Sequence, residues 1–150
     1  MYQEVLMFSS EEESKDMIKF LDSWENDPEG VRKVFGFLKD HLMKAKGVKL
    51  GFNSRPGITH SLRAGAVDDE ERALFVMVDV IDDDPDNRWL SVCFYGDTIS
   101  DPDEEGDLIP GGLLGEDGYC FDIYGYEKDK LSYIAQRIDE AYLCRSKGAG

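Results

Sequence analysis

The sequence predicts an α+β fold: an antiparallel sheet of about five strands, with two N-terminal helices and one C-terminal helix packed mainly on one of its faces. Three observations predict it. Two stretches of helical apolar spacing come before any sustained alternation, strands of period two fill the middle, and a last helical stripe closes the chain. The clearest strands are LFVMVDVI (74–81) and WLSVCFY (89–95), joined by DDDPDNR. Leu74, Val76, Val78 and Val80 form one aliphatic stripe, and Leu90, Val92 and Phe94 form its match. A slip of one residue would send every side chain to the wrong face, so the stripes decide the register. Val76 should oppose Phe94, Val78 Val92, and Val80 Leu90; on the other face Phe75 should meet Tyr95, Met77 Cys93, Asp79 Ser91, and Ile81 Trp89.

Residues 2–8 read either as a short edge strand or as an apolar lead-in. Ser9 and Ser10 stand three places before Glu12 and Glu13, a capping box that should start a helix near Ser10. Met17, Leu21 and Trp24 share one face of it, with Ile18 and Phe20 alongside, and it should stop before Pro28. In the second helix Asp27 is the expected cap and Pro28 the first helical residue. Val31, Val34, Phe35, Leu38 and Leu42 make its apolar stripe, and Gly47 ends it. Val48, Leu50 and Phe52 then alternate with Lys49, Gly51 and Asn53; SRPG turns the chain; Ile58, His60 and Leu62 alternate with Thr59, Ser61 and Arg63. After Tyr95, residues 96–118 hold many turn formers and no period, which predicts a long loop. Its Leu108, Ile109, Leu113 and Leu114 are expected to plug one edge of the core. Tyr119, Phe121 and Ile123 form the last strand, and from Glu127 a helix sets Leu131, Ile134, Ile138, Ala141 and Tyr142 on one side, ahead of a frayed SKGAG tail. Without repeats or a linker, residues 1–150 read as one domain.

At 150 residues and 41% hydrophobic, the chain can bury a core despite a net charge of −15. No segment approaches a bilayer-spanning length, and the acidic N-terminal stretch lacks the basic flank of a signal peptide, so a cytoplasmic location is expected. Cys93, Cys120 and Cys144 have neither CxxC nor metal-finger spacing and read as buried reduced thiols. The excess of 32 acids over 17 bases argues against nucleic acid and against an anionic membrane as partners. The charge is unevenly placed. Between Met43 and Val67 there is no acid, while Lys44, Lys46, Lys49, Arg55 and Arg63 contribute five positive charges.

The run FYGDTISDPDEEGDLIPGGLLGEDGYCFDIYGYEKDKLSYIAQRI resembles the C-terminal half of small bacterial YdhG-like domains, over about a third of the chain. Ile99, Asp101 and Pro102 match the Leu-Pro-Asp-Pro-like turn of that group, and Leu113, Leu114 and Gly115 its Leu-Leu-Glu-Gly-like stretch; Tyr119 to Asp122 replace its basic, His-containing strand. The resemblance implies an α+β sandwich and frataxin-like handling of carboxylate-bound iron.

Three candidate sites follow from the residues themselves. The second face of the central hairpin, with Phe75, Met77, Asp79, Trp89, Ser91, Cys93 and Tyr95, is too apolar for open water and too polar for an ordinary core, so a partner, a small ligand or a second copy of the chain is expected on it. The alternative cover is the 96–118 loop, folded back. The second site is an anion set, Arg55, His60, Ser61 and Arg63, with planar guanidinium forks and hydroxyl donors; in a strand His60 turns away from the others, and structural pairing of the arginines with the surplus acids is the competing reading. Third, Asp101, Asp103 and Glu105 copy the first half of a calcium loop, but Gly112 stands where a bidentate Glu is needed; Asp82, Asp84 and Asp86 start the same pattern. A solvated acidic loop is the simpler reading, and no cofactor is implied. His41 and a Cys93–His60 pair complete a thin catalytic inventory, which favours a binding module over an enzyme.

Overall fold

The computed structural model describes residues 7–69 and 71–148, with side chains as far as Cys144. Helix α1 spans Glu11–Ser23, and Ser10 caps it by accepting from the Glu13 amide while its hydroxyl meets the Glu13 carboxylate. That is the predicted capping box. Helix α2 spans Val31–Met43 and starts three residues later than the Asp27-Pro28 signal implies. Residues 28–30 form a turn instead: Gly30 takes φ 80° and the Asp27 carboxylate reaches over it to the Arg32 amide at 3.1 Å. Asp27 therefore still satisfies a free amide of the first helical turn, from further back than a cap normally sits. The predicted apolar stripe of α2, Val31 to Leu42, is buried throughout.

The strands are β1 (Val48–Arg55), β2 (Thr59–Ala66), β3 (Val76–Ile81), β4 (Trp89–Tyr95), β5 (Asp107–Leu113) and β6 (Glu116–Ile123), and α3 (Lys128–Gly148) closes the chain. They form one six-stranded antiparallel sheet in the order β1-β2-β3-β4-β6-β5. The fold class is thus α+β as predicted, with one strand more. α3 runs through Gly148, into the stretch expected to be a frayed tail. Residues 2–6 of the expected lead-in lie outside the described residues, while Phe8 bridges Leu50 in parallel and, with Ser9, covers the outer edge of β1.

The additional strand is β5, where a loop was expected. Leu114 and Gly115 both take positive φ, 51° and 86°, and join β5 to β6 as a two-residue hairpin. Such a turn usually carries Asn-Gly, and a Leu in its first position hides the signal. Pro110 and a register shift between Ile109 and Leu113 further break the period, both tolerated because β5 is an edge strand. Leu108, Ile109 and Leu114 are exposed, so the expected apolar plug does not form; only Leu113 is buried.

One face of the sheet presents Leu50, Leu62, Val78, Leu90, Val92 and Phe121 to the helices, and these pack with Phe35, Leu38, Ile134 and Ile138 in a single core. Its largest side chains are almost wholly removed from water. Among the described residues no helix packs on the second face, which contributes only a small cluster of Leu74, Tyr95 and Leu113 with Met77.

Candidate functional site

The register places a continuous polar row across the second face. Asn53 pairs with Ser61, Ser61 with Asp79, Asp79 with Ser91, and Ser91 with Asp122. Paired residues of antiparallel strands point the same way, so all of these side chains stand on the uncovered side. One row to the side lie Arg63, Met77, Cys93 and Cys120; one row to the other lie Arg55, Thr59, Ile81 and Trp89. Trp89 stacks on Tyr124 at 5.2 Å between ring centres and finishes that end of the face with aromatic surface. The opposite end is closed by the chain itself, where the Arg72 guanidinium lies 3.9 Å over the Tyr95 ring and is held by Asp97 and Glu116.

The expected hairpin register holds at five pairs, Met77–Cys93 through Ile81–Trp89. Phe75 is the correction. Val76 pairs with Ala64, and the Phe75 amide also donates to the Ala64 carbonyl at 2.8 Å, so two consecutive residues oppose one. This bulge turns Phe75 onto the helix face, where it is buried edge-on against Tyr142, and sends Leu74 to the second face. Gly65 permits it, because a Cβ there would collide with the Ala73 carbonyl. The other six predicted face residues, Met77, Asp79, Trp89, Ser91, Cys93 and Tyr95, are brought together on the second face.

Asp79 sits at the centre. Burial pushes its carboxyl above the usual carboxylate range, against the opposing pull of the Ser61 hydroxyl and the charges of Arg63 and Arg55. Its Oδ1 is buried and without a hydrogen-bond partner among the described residues. A desolvated, half-satisfied carboxylate is costly to hold. Arg55, Ser61 and Arg63 of the anion set share this face; Arg63 Nε donates to Ser61 Oγ at 3.3 Å and Arg55 to Thr59 Oγ1 at 3.4 Å. Among the described residues neither arginine lies within ion-pair distance of a carboxylate, though the charges of both act on Asp79. The 96–118 segment leaves this centre open, reaching the second face only at its Tyr95 end through Leu113.

His60 points to the other side, as its parity requires, and is separated from the rest of the anion set. It is buried under Phe20, whose ring stacks on the imidazole at 3.8 Å. Its Nε2 donates to Asp82 Oδ2 at 2.7 Å, and its Nδ1 is hydrogen-bonded to the Ser54 hydroxyl. Asp82 also receives Arg88 Nε at 2.7 Å and the Gly57 amide at 3.3 Å. Burial acts to raise the Asp82 carboxyl, but those donors together hold it below the ordinary range. The cluster ties the β1–β2 turn to both ends of the β3–β4 connection, a clamp that sequence reasoning missed. Ser54 is the register partner of His60, which is the one signal that could have found it.

The cysteines differ from expectation. Cys93 and Cys120 are register partners on β4 and β6 and form a disulfide, with Cα atoms 4.2 Å apart, while Cys144 is free. The close spacing is that of a non-hydrogen-bonded antiparallel pair. Cys93 and His60 therefore stand on opposite faces, and the Cys–His pairing does not arise. His41 lies 2.8 Å from Asp139 and links α2 to α3.

The acidic half-motifs serve as fasteners for their own loops. Asp101 accepts from the hydroxyls of Tyr119 and Tyr133 and from the amides of Glu105 and Gly106. Burial works to raise its carboxyl, but these four donors outweigh it and hold the group down at about 2. Asp84 likewise accepts from the Asp86 amide and Asn87. Among the described residues no group of three or more His, Cys, Asp or Glu side chains is arranged to hold a metal ion.

With this geometry in hand, comparison with known proteins finds no matching family model, no matching curated protein and no matching solved structure.

Proposed function

We propose that the protein is a non-enzymatic binding module whose uncovered sheet face is its contact surface. The observation that carries this reading is Asp79: a carboxylate with a buried oxygen that has no partner among the described residues, flanked by Ser61 and Ser91 and bordered by Met77, Ile81 and Trp89, on a face that no described helix covers. A face meant only for solvent has no use for a desolvated acid, and a core would not leave the row of hydroxyls and charges beside it. The frataxin-like alternative has less support, since Asp101, its best-placed carboxylate, is saturated by the chain's own donors.

Hydroxyl-radical footprinting tests the reading, with Met77 and Trp89 as reporters. Their oxidation should slow when the purified chain is concentrated, or when it is placed in extract of the cells that make it, relative to the dilute chain. Equal oxidation in all three conditions would sink the proposal.

A further inference from the structure

The occupant of the face can be argued from its charge. On the second face β1 and β2 carry Lys49, Arg55 and Arg63 and no acid of their own, the structural outcome of the acid-free window between Met43 and Val67; the Glu13 carboxylate of α1 reaches this side only at the β1 edge beside Gly51. Across the sheet the sign reverses: Asp79 stands on β3, Asp122 on β6 and Asp107 on β5, the last level with Cys120. A face divided this way is self-complementary under one two-fold axis and repulsive under another. An axis running across the strands would lay β1–β2 of one copy on β1–β2 of the next, positive on positive. An axis parallel to the strands, midway along the order β1-β2-β3-β4-β6-β5, lays β3 on β4, β2 on β6 and β1 on β5.

Resting on the contact-surface reading above, we propose that the partner is a second copy of this chain, docked face to face about a two-fold axis that runs between β3 and β4 and parallel to them. The rows then match. Asp79 lies over Ser91 of the second copy, polar row over polar row; Ile81 lies over Trp89, and Met77 over the Cys93–Cys120 bridge. Arg63 of each copy lies over Cys120 of the other, one row from Asp122, and Lys49 lies over β5 one row from Asp107. Packed sheets keep their strands within about 30° of each other, so the pairs nearest the axis stay closest to register. With strands about 4.8 Å apart and about 3.3 Å per residue, the face measures about 24 by 20 Å. That is smaller than the roughly 800 Å² per partner of a standard stable complex, so the dimer should be weak and should dissociate on dilution through the micromolar range.

Sedimentation of Arg63→Asp and Asp122→Arg tests the axis, with circular dichroism confirming that each variant is folded. Each substitution strikes two symmetry-related contacts, and each should weaken self-association about a hundredfold by placing like charges together. Mixed in equal amounts, the two variants should form a heterodimer, because every reversed charge then meets its opposite; the doubly substituted chain should dimerise again. The inference is overturned if the parent stays monomeric up to millimolar concentration, if either single variant dimerises like the parent, or if the mixture stays monomeric. Footprint protection that appears in extract but not on concentrating the pure chain would overturn the second-copy proposal while sparing the contact-surface reading. No protection under any condition would remove both.

Discussion

Replacing Asp82 with alanine removes the acceptor that Arg88, His60 and the Gly57 amide share, and leaves the first two stranded in the protein. The Arg88 side chain is only 11% exposed and the His60 side chain 5%, so water cannot take over the lost contacts. Removing one partner of a buried ion pair typically costs about 3–5 kcal/mol, because the remaining charge is uncompensated. For a chain of this size, each kcal/mol moves the melting temperature by about 2–4 °C, so a fall of about 6–20 °C is expected. Urea denaturation followed by circular dichroism measures the free energy, and a thermal scan the shift. Adding Arg88→Met should recover part of the loss, since the stranded charge goes with it. A cost for Asp82→Ala below about 1 kcal/mol, the range of an exposed ion pair, would refute the reading of this cluster as the buried clamp between the β1–β2 turn and the β3–β4 connection.

Further outcomes follow from the same geometry. Phe75→Ala should cost about 3–5 kcal/mol as a core truncation, whereas Met77→Ala, two residues on and half-buried on the uncovered face, should cost about 1 kcal/mol or less in the monomer; equal costs in chemical denaturation would mean the bulge is misplaced. Cys93→Ala with Cys120→Ala opens a bridge between residues 27 apart in sequence and should cost up to about 3–4 kcal/mol by chain entropy, and reductant should lower the parent's melting temperature but not that of the variant. Asp101, held at about 2, contributes stability that is present above the unfolded carboxylate range and lost as pH falls through 2. Acid titration should therefore expose a loss between about pH 4 and 2 that Tyr119→Phe moves upward; Asp79, shifted upward by burial, has the opposite sign, so Asp79→Asn should stabilise the monomer at neutral pH.

The parts of the fold legible in the sequence are those with a strong period. The stripes of Val76, Val78 and Val80 against Leu90 and Val92 exclude a one-residue slip of register, and the capping box at Ser10 marks the start of α1 directly. What escaped has local physical causes. The bulge at Phe75 depends on Gly65 of another strand, which lets the Ala73 carbonyl approach, and nothing in residues 74–81 records that. β5 escaped because Leu114 occupies a left-handed turn position and Pro110 interrupts the alternation. Pairing of Cys93 with Cys120 needs β6 beside β4, a long-range fact that cysteine spacing does not contain. The candidate face was legible apart from Phe75, because parity alone sorts side chains between the faces. The merging of Arg55, Ser61 and Arg63 with Asp79 into that same face was not, because it required knowing that β2 lies against β3.

Backbone amide spectra of the isotope-labelled chain, recorded through a dilution series from millimolar to micromolar, read the uncovered face residue by residue. Concentration-dependent shifts should concentrate at Ser61, Arg63, Met77, Asp79, Ser91 and Asp122, the residues of the central rows, and should vanish in Arg63→Asp. Shifts confined to the helices or to the β5 edge, or spectra unchanged across the series, would contradict self-association through this face.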